Sequence, residues 1–113
     1  MKVSDVRAAL QALANPEKQS FFKIFFKTGP GEYGEGDIFL GLSVPQQRKI
    51  SKEFKDLPLK EAEKLLRSKI HEERLTALFI FVLQYKKGNE ATKKSIVDAY
   101  LNNTKFINNL QSI

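Results

Sequence analysis

The sequence has no cysteine, which removes disulfides and thiolate metal sites at once. It has one histidine, His71, too few for a His-based metal site. Tryptophan is also absent, whereas nine phenylalanines are present. So much aromatic area requires burial, within the chain or against a neighbour. Long apolar runs are missing too. The longest, Ala77-Leu78-Phe79-Ile80-Phe81-Val82-Leu83, is far short of the roughly 20 residues that a membrane span requires. Met1-Lys2-Val3-Ser4-Asp5 lacks the apolar stretch of a signal peptide. These absences lead us to expect a soluble, cytoplasmic protein with no membrane partner, no metal and no cofactor.

What is present fits one domain spanning residues 1–113. Hydrophobic residues make up 42% and charged residues 28%, a globular balance rather than a disordered one. The net charge is +6, which favours a polyanionic partner such as nucleic acid. Solvated lysines are the plainer explanation of the same surplus, so charge alone does not choose between them.

Helix signals dominate the chain. Ser4 suits the cap of a first helix over Asp5 to Ala14, with Val6, Leu10 and Leu13 on one face. Asn15-Pro16-Glu17 starts a second, as cap, first helical residue and first-turn acid. It runs to about Lys27, and Phe21, Phe22, Phe25 and Phe26 make one aromatic face. Residues 28–37 hold four of the six glycines, and 29–37 read as a flexible loop. Phe39-Leu40-Gly41-Leu42 is a short apolar segment. Ser43 or Val44 then precedes a third helix, with Pro45 in its first turn and its end near Lys55. Leu57-Pro58 breaks the chain before a fourth helix, Leu59 to Ser68. A fifth, from His71 to Tyr85, is apolar nearly all round its middle and should be the most buried. Lys86-Lys87-Gly88 closes it, with Gly88 in the glycine position beyond the helix end. Asn89 caps a sixth, Glu90 to about Leu101, with Ile96, Val97, Tyr100 and Leu101 inward. Residues 102–113 read as an irregular, polar tail. The expected fold is all-α: antiparallel helix pairs stacked as a truncated, HEAT-like α-solenoid.

Few constellations suggest chemistry. The glycine loop follows no strand, leads to no Gly-Lys-Ser/Thr and carries acids, so it is no phosphate cradle. Glu32, Glu35 and Asp37 in the loop, and Glu72-Glu73 at a helix start, lack any spacing that separates them from solvated or dipole-complementing acids. His71 reads as a helix-start residue rather than a general base. The cations say more. Arg48-Lys49 opens the third helix, Lys86-Lys87 closes the fifth, and Lys93-Lys94 and Lys105 follow. In a stack of helix pairs, the second helix of each pair lines one face and presents such residues to a phosphate backbone. The alternative for Lys86-Lys87 is that they only complement the helix dipole. Free N–H groups at Ser43-Val44 are a further candidate phosphate contact.

Phe39-Leu40-Gly41-Leu42-Ser43-Val44-Pro45-Gln46-Gln47-Arg48-Lys49 resembles the N-terminal signature of the AlkD-like DNA alkylation repair glycosylases. Asn15-Pro16-Glu17-Lys18, the loop from Gly31 to Asp37, Glu73-Arg74 with Ala77-Leu78, and Gln84-Tyr85-Lys86-Lys87 extend the likeness over residues 5 to 109. The resemblance implies HEAT-like repeats and hydrolysis of the N-glycosidic bond of N3- and N7-alkylated purines. Such bases are cationic and leave readily. One carboxylate then suffices to stabilise an oxocarbenium-like sugar and position water. It implies double-stranded DNA as partner, with backbone contacts from Ser43, Val44, Arg48 and Lys49, and from Lys86, Lys87 and Lys105.

The likeness fails at the chemistry. After Asn108-Asn109 the family continues Trp-Asp-Leu-Val-Asp, and its Trp and second Asp belong to the active site. Here Leu110-Gln111-Ser112-Ile113 follows, with Leu110 at the Trp position and the Asp position just past the last residue. The expectation is a truncated DNA alkylation repair protein with no catalytic residue of its own, inactive alone. The alternative is a non-catalytic helical scaffold that binds DNA or a protein partner. A stack cut at this end would expose apolar surface and favour self-association.

Overall fold

The structure is a computed structural model, and it describes residues 1–25 and 38–104, the side chains of 22–25 excepted. The loop at 29–37, the second helix's end at Lys27, the aromatic face beyond Phe21, and the tail from Lys105 lie outside the described residues. Within them the fold is all-α, with α1 Val3–Gln11, α2 Pro16–Phe25, α3 Val44–Glu53, α4 Leu59–Leu66, α5 His71–Lys87 and α6 Glu90–Asn102.

Three helix starts follow local chemistry. The Asn15 side chain accepts from the N–H groups of Glu17 and Lys18 at 3.1 and 3.2 Å, ahead of Pro16. Ser43 and Gln46 form a reciprocal box: Gln46 N–H donates to Ser43 Oγ at 3.3 Å, and Ser43 N–H donates to Gln46 Oε1 at 2.9 Å. The Asn89 side chain accepts from Thr92 N–H at 2.9 Å.

The first helix departs from expectation. Ser4 is not its cap; the helix starts at Val3. Lys2 N–H donates to the Asp5 carboxylate at 2.9 Å, and Val3 N–H donates to Glu61 Oε1 of α4 at 2.9 Å. A local carboxylate and a distant one thus each accept from a backbone N–H at this start. α1 stops at Gln11, and Ala12 to Ala14 continue as tight turns that leave Leu13 exposed. Gly88 likewise does not take a left-handed conformation, since its φ is −80°. It is needed for space: a Cβ there would lie 2.7 Å from Thr92 Cγ2.

The helices pack in two layers. α4 lies between α1 and α6, and α3 lies beside α5. Across the layers, α1 meets α3, α4 meets α5, and α5 meets α6. Repetition of one helix-on-helix contact along the chain is the packing of a helical-repeat solenoid. Leu10, Leu42, Leu65, Leu66, Ala77 and Ile80 belong to one continuous core. In α6 the core takes Ile96 and Ala99, whereas Val97 and Leu101, expected inward, are exposed. Burial in α5 is uneven: His71 to Ala77 are all buried, but Val82 and Tyr85 are exposed.

Candidate nucleic-acid interface

The interface is built on a clamp. Segment Phe39–Leu42 leads into α3, and its buried backbone N–H groups need hydrogen-bond acceptors. Glu72, fully buried in the first turn of α5, provides them. Its carboxylate accepts from the N–H groups of Leu40, Gly41 and Leu42 at 2.9, 2.8 and 3.2 Å. Three N–H donors make burial of this carboxylate tolerable. Ile38 joins from the other side, donating to the Lys69 carbonyl at 3.0 Å and accepting from His71 N–H at 2.8 Å. Phe39 stacks on His71 with ring centroids 4.8 Å apart. His71 is therefore a buried packing residue. The other helix-start acid, Glu73, is buried too and pairs with Arg7 of α1 at 2.9 Å. Both acids sit in the first turn of α5, where negative charge complements the helix dipole as the sequence suggests, and both are buried rather than solvated.

Gly41 completes the clamp. Its φ is +85°, and a Cβ would lie 2.3 Å from the Asn15 carbonyl oxygen. Only glycine meets both demands. The segment delivers Ser43 to the start of α3, where both its N–H and Oγ are engaged with Gln46. Two buried side chains then register α3. Gln47 donates to the Leu42 carbonyl at 3.3 Å. The Ser51 hydroxyl sits 2.8 Å from the Gln47 carbonyl and 3.3 Å from the Thr76 carbonyl of α5.

With α3 fixed against α5, the cations fall into place. Arg48 and Lys52 lie one turn apart on α3, and Lys55 follows just past its end. Across from them stand Lys86 and Lys87 in the last turn of α5. A cavity of about 390 Å³ is lined by Arg48, Lys52 and Lys86 over a floor of Phe79, Val82 and Leu83. A second, of about 600 Å³, is lined by Lys52, Lys55 and Lys87, with Asp56 as its acid. Lys52 borders both, so the two form one groove. Gln84 pins the groove's far end, donating to the carbonyls of Lys55 and Leu57 at 2.9 and 2.8 Å. Among the described residues, none of the five cations makes an ion pair.

The candidates named from sequence fall unequally. Arg48, Lys86 and Lys87 line the groove. Val44 opens α3 and is exposed. Ser43 serves as its cap, so its side chain is already engaged. Lys49 is exposed on α3 but does not line either cavity. Lys105 lies outside the described residues. Lys52 and Lys55 were missed, although their spacing of four and seven from Arg48 places them on one helical face. No group of three metal-ligating side chains occurs among the described residues.

The family model for DNA alkylation repair enzymes matches residues 6–113. The chain belongs to that family. No curated protein and no solved structure gives a significant match. Family membership makes DNA the natural partner, and the described part contains no helix long and apolar enough to cross a membrane.

Proposed function

We propose that this chain is an AlkD-like, HEAT-repeat DNA-binding protein whose α3–α5 groove lies along the phosphate backbone of duplex DNA. The observation that carries this is the set of five cations without ion-pair partners among the described residues, gathered from α3, the residues just past its end, and α5 onto one groove. Phosphates are spaced regularly along a duplex, and cations fixed on packed helices meet them without first being ordered. Such contacts position DNA and carry no sequence information. The resemblance implies a family that excises N3- and N7-alkylated purines, and it assigns DNA-backbone contacts to Arg48, Lys86 and Lys87 of this groove. Leu110 stands where the resemblance places a Trp of the active site, so these 113 residues alone are expected to release no base.

Binding to an undamaged duplex is the test, read by fluorescence anisotropy between about 50 and 200 mM salt. Each phosphate neutralised adds roughly −0.9 to the slope of log K against log salt, so five cations give at most about −4.5. Replacing Lys52 or Lys86 by alanine should cut the slope by about one each. Replacing Lys60 on α4, in the other layer, should not. Absence of salt-dependent binding overturns the proposal. Release of 7-methylguanine from alkylated DNA would overturn the expectation of inactivity.

A second reading rests on a different surface. Leu78, Phe81, Val82, Ile96, Val97 and Tyr100 line an apolar groove of about 620 Å³ between α5 and α6. A protein scaffold or a self-associating chain uses such a surface, whereas a phosphate backbone does not. Concentration-dependent light scattering together with no affinity for DNA would favour this reading.

A further inference from the structure

We infer that Phe79 is a positioning residue of the DNA-binding groove, holding the Arg48 guanidinium in place without neutralising it. The inference rests on the reading of the α3–α5 groove as a phosphate-binding surface. Phe79 belongs to the apolar run of α5, where a phenylalanine is ordinarily core. Its neighbours Ile80 and Phe81 are buried, but Phe79 is only half-buried and reaches the floor of the cavity. Arg48, from the facing helix, lies over its ring with Cζ 5.2 Å from the centroid. That is within the range of a cation–π contact.

The choice of partner matters for a phosphate ligand. A carboxylate would hold Arg48 as well or better, but it would cancel the charge and occupy the N–H donors. An aromatic face attracts the guanidinium through its quadrupole and takes none of the hydrogen-bonding capacity. The five N–H groups lie in the guanidinium plane and stay available to a phosphate. Holding a long side chain in place beforehand also removes part of the ordering cost on binding. Among the described residues, Lys52 and Lys86, which share the cavity, have no such ring contact, so the effect should be specific to Arg48.

A double-mutant cycle on duplex binding tests this, using the full chain. Phe79→Leu keeps an apolar side chain and removes the ring. It should weaken binding about two- to five-fold in the wild-type background. The salt slope should stay unchanged, because the Arg48 charge remains. Arg48→Ala should lower the slope by about one, and adding Phe79→Leu to it should cost nothing more. Phe79→Tyr, which keeps the ring, should retain wild-type affinity. Equal loss from Phe79→Leu in both backgrounds overturns the inference while leaving the groove intact. Loss of all salt-dependent binding by the wild type overturns the groove reading and this inference with it. NMR of the wild-type protein gives an arm independent of mutant folding. The Arg48 side-chain protons should be shifted upfield by the ring current, and their absence from that region overturns the contact itself.

Discussion

In the first half of α5, from His71 to Ala77, every residue is buried, including Glu72, Glu73 and Arg74. In the second half, Val82, Tyr85, Lys86 and Lys87 are exposed. Both halves are rich in charge, but they use it differently. The first turns charge inward. Glu72 binds three backbone N–H groups, Glu73 binds Arg7, and Arg74 donates to the Ser68 carbonyl at 2.8 Å. The second turns charge outward, with Lys86 and Lys87 beside the α3 cations and without ion pairs among the described residues. Helix polarity favours this order, since acids suit a helix start and cations its end. A partnered interior charge contributes to stability, and an unpartnered surface charge is available to a ligand. One helix thus joins the clamp that sets α3 to the surface that α3 shares.

The comparison breaks most visibly at Glu72. Glu72→Ala leaves three buried N–H groups without an acceptor, each costing roughly 1–3 kcal/mol. The expected loss is about 4 kcal/mol or more, which lowers Tm by roughly 15–30 °C in a domain of this size. Lys86→Ala, in the other half, should change stability by no more than about 0.5 kcal/mol while weakening DNA binding. Thermal unfolding by circular dichroism measures both. Similar Tm losses for the two variants would erase the distinction between the halves.

Gly41→Ala attacks the same clamp from its other side and should cost less. The left-handed backbone alone costs a non-glycine residue about 1–3 kcal/mol. The Asn15 oxygen in the way also accepts from Gln19 N–H at 3.1 Å in the first turn of α2, so it cannot retreat freely. A loss of about 2–3 kcal/mol is expected from urea midpoints, below that of Glu72→Ala. A neutral Gly41→Ala would mean that segment 39–42 is not held as described.

What was legible in the sequence follows from distance along the chain. The caps at Asn15 and Asn89 close within three residues and are legible from their own neighbourhood, whereas the sequence leaves Ser43 or Val44 open before α3 and the structure makes Ser43 the cap. The clamp joins residues 30 to 32 positions apart, so Glu72 looked like an ordinary helix-start acid. The start of α1 combines a local Lys2–Asp5 contact with an acceptor from Glu61, 58 positions away, so the helix begins at Val3 and Ser4 is not its cap. Val97 and Leu101 carry the apolar signal of a core face, but both are exposed, Val97 on the open α5–α6 side. At the groove, Arg48 and the α5 pair stood out as doublets of cations. Lys52 and Lys55 are single cations and do not stand out, and Phe79 lies in the apolar run expected to be buried. Neither pattern shows its role until α3 and α5 are placed together.

The smallest expected effect sharpens the contrast between an interior and a surface carboxylate. Glu61 does for α1 what Glu72 does for segment 39–42, but with one backbone N–H, from Val3, and with solvent at hand. Its second oxygen accepts from Lys64 Nζ at 2.7 Å. That hydrogen bond, followed by the one from Val3 N–H, holds its pKa below the ordinary carboxylate value of 4.5. Partial burial opposes the shift, and the charges of Lys64 and Lys2 add to it. Because the folded protein binds this proton less readily than the unfolded chain, acid favours unfolding. The stabilisation from ionised Glu61 is complete above the unfolded value and is lost as pH falls through the lower folded one. Glu61→Gln removes the titration. Urea midpoints of wild type and Glu61→Gln should therefore differ most near neutral pH and converge below 4.5 as the carboxylate takes up its proton. The gap should be small throughout, because solvent reaches this partly exposed carboxylate, screens its charge and replaces its contacts. A gap that widens on acidification would show that Glu61 is stabilised in its protonated form, and the acceptor role at the start of α1 would fall.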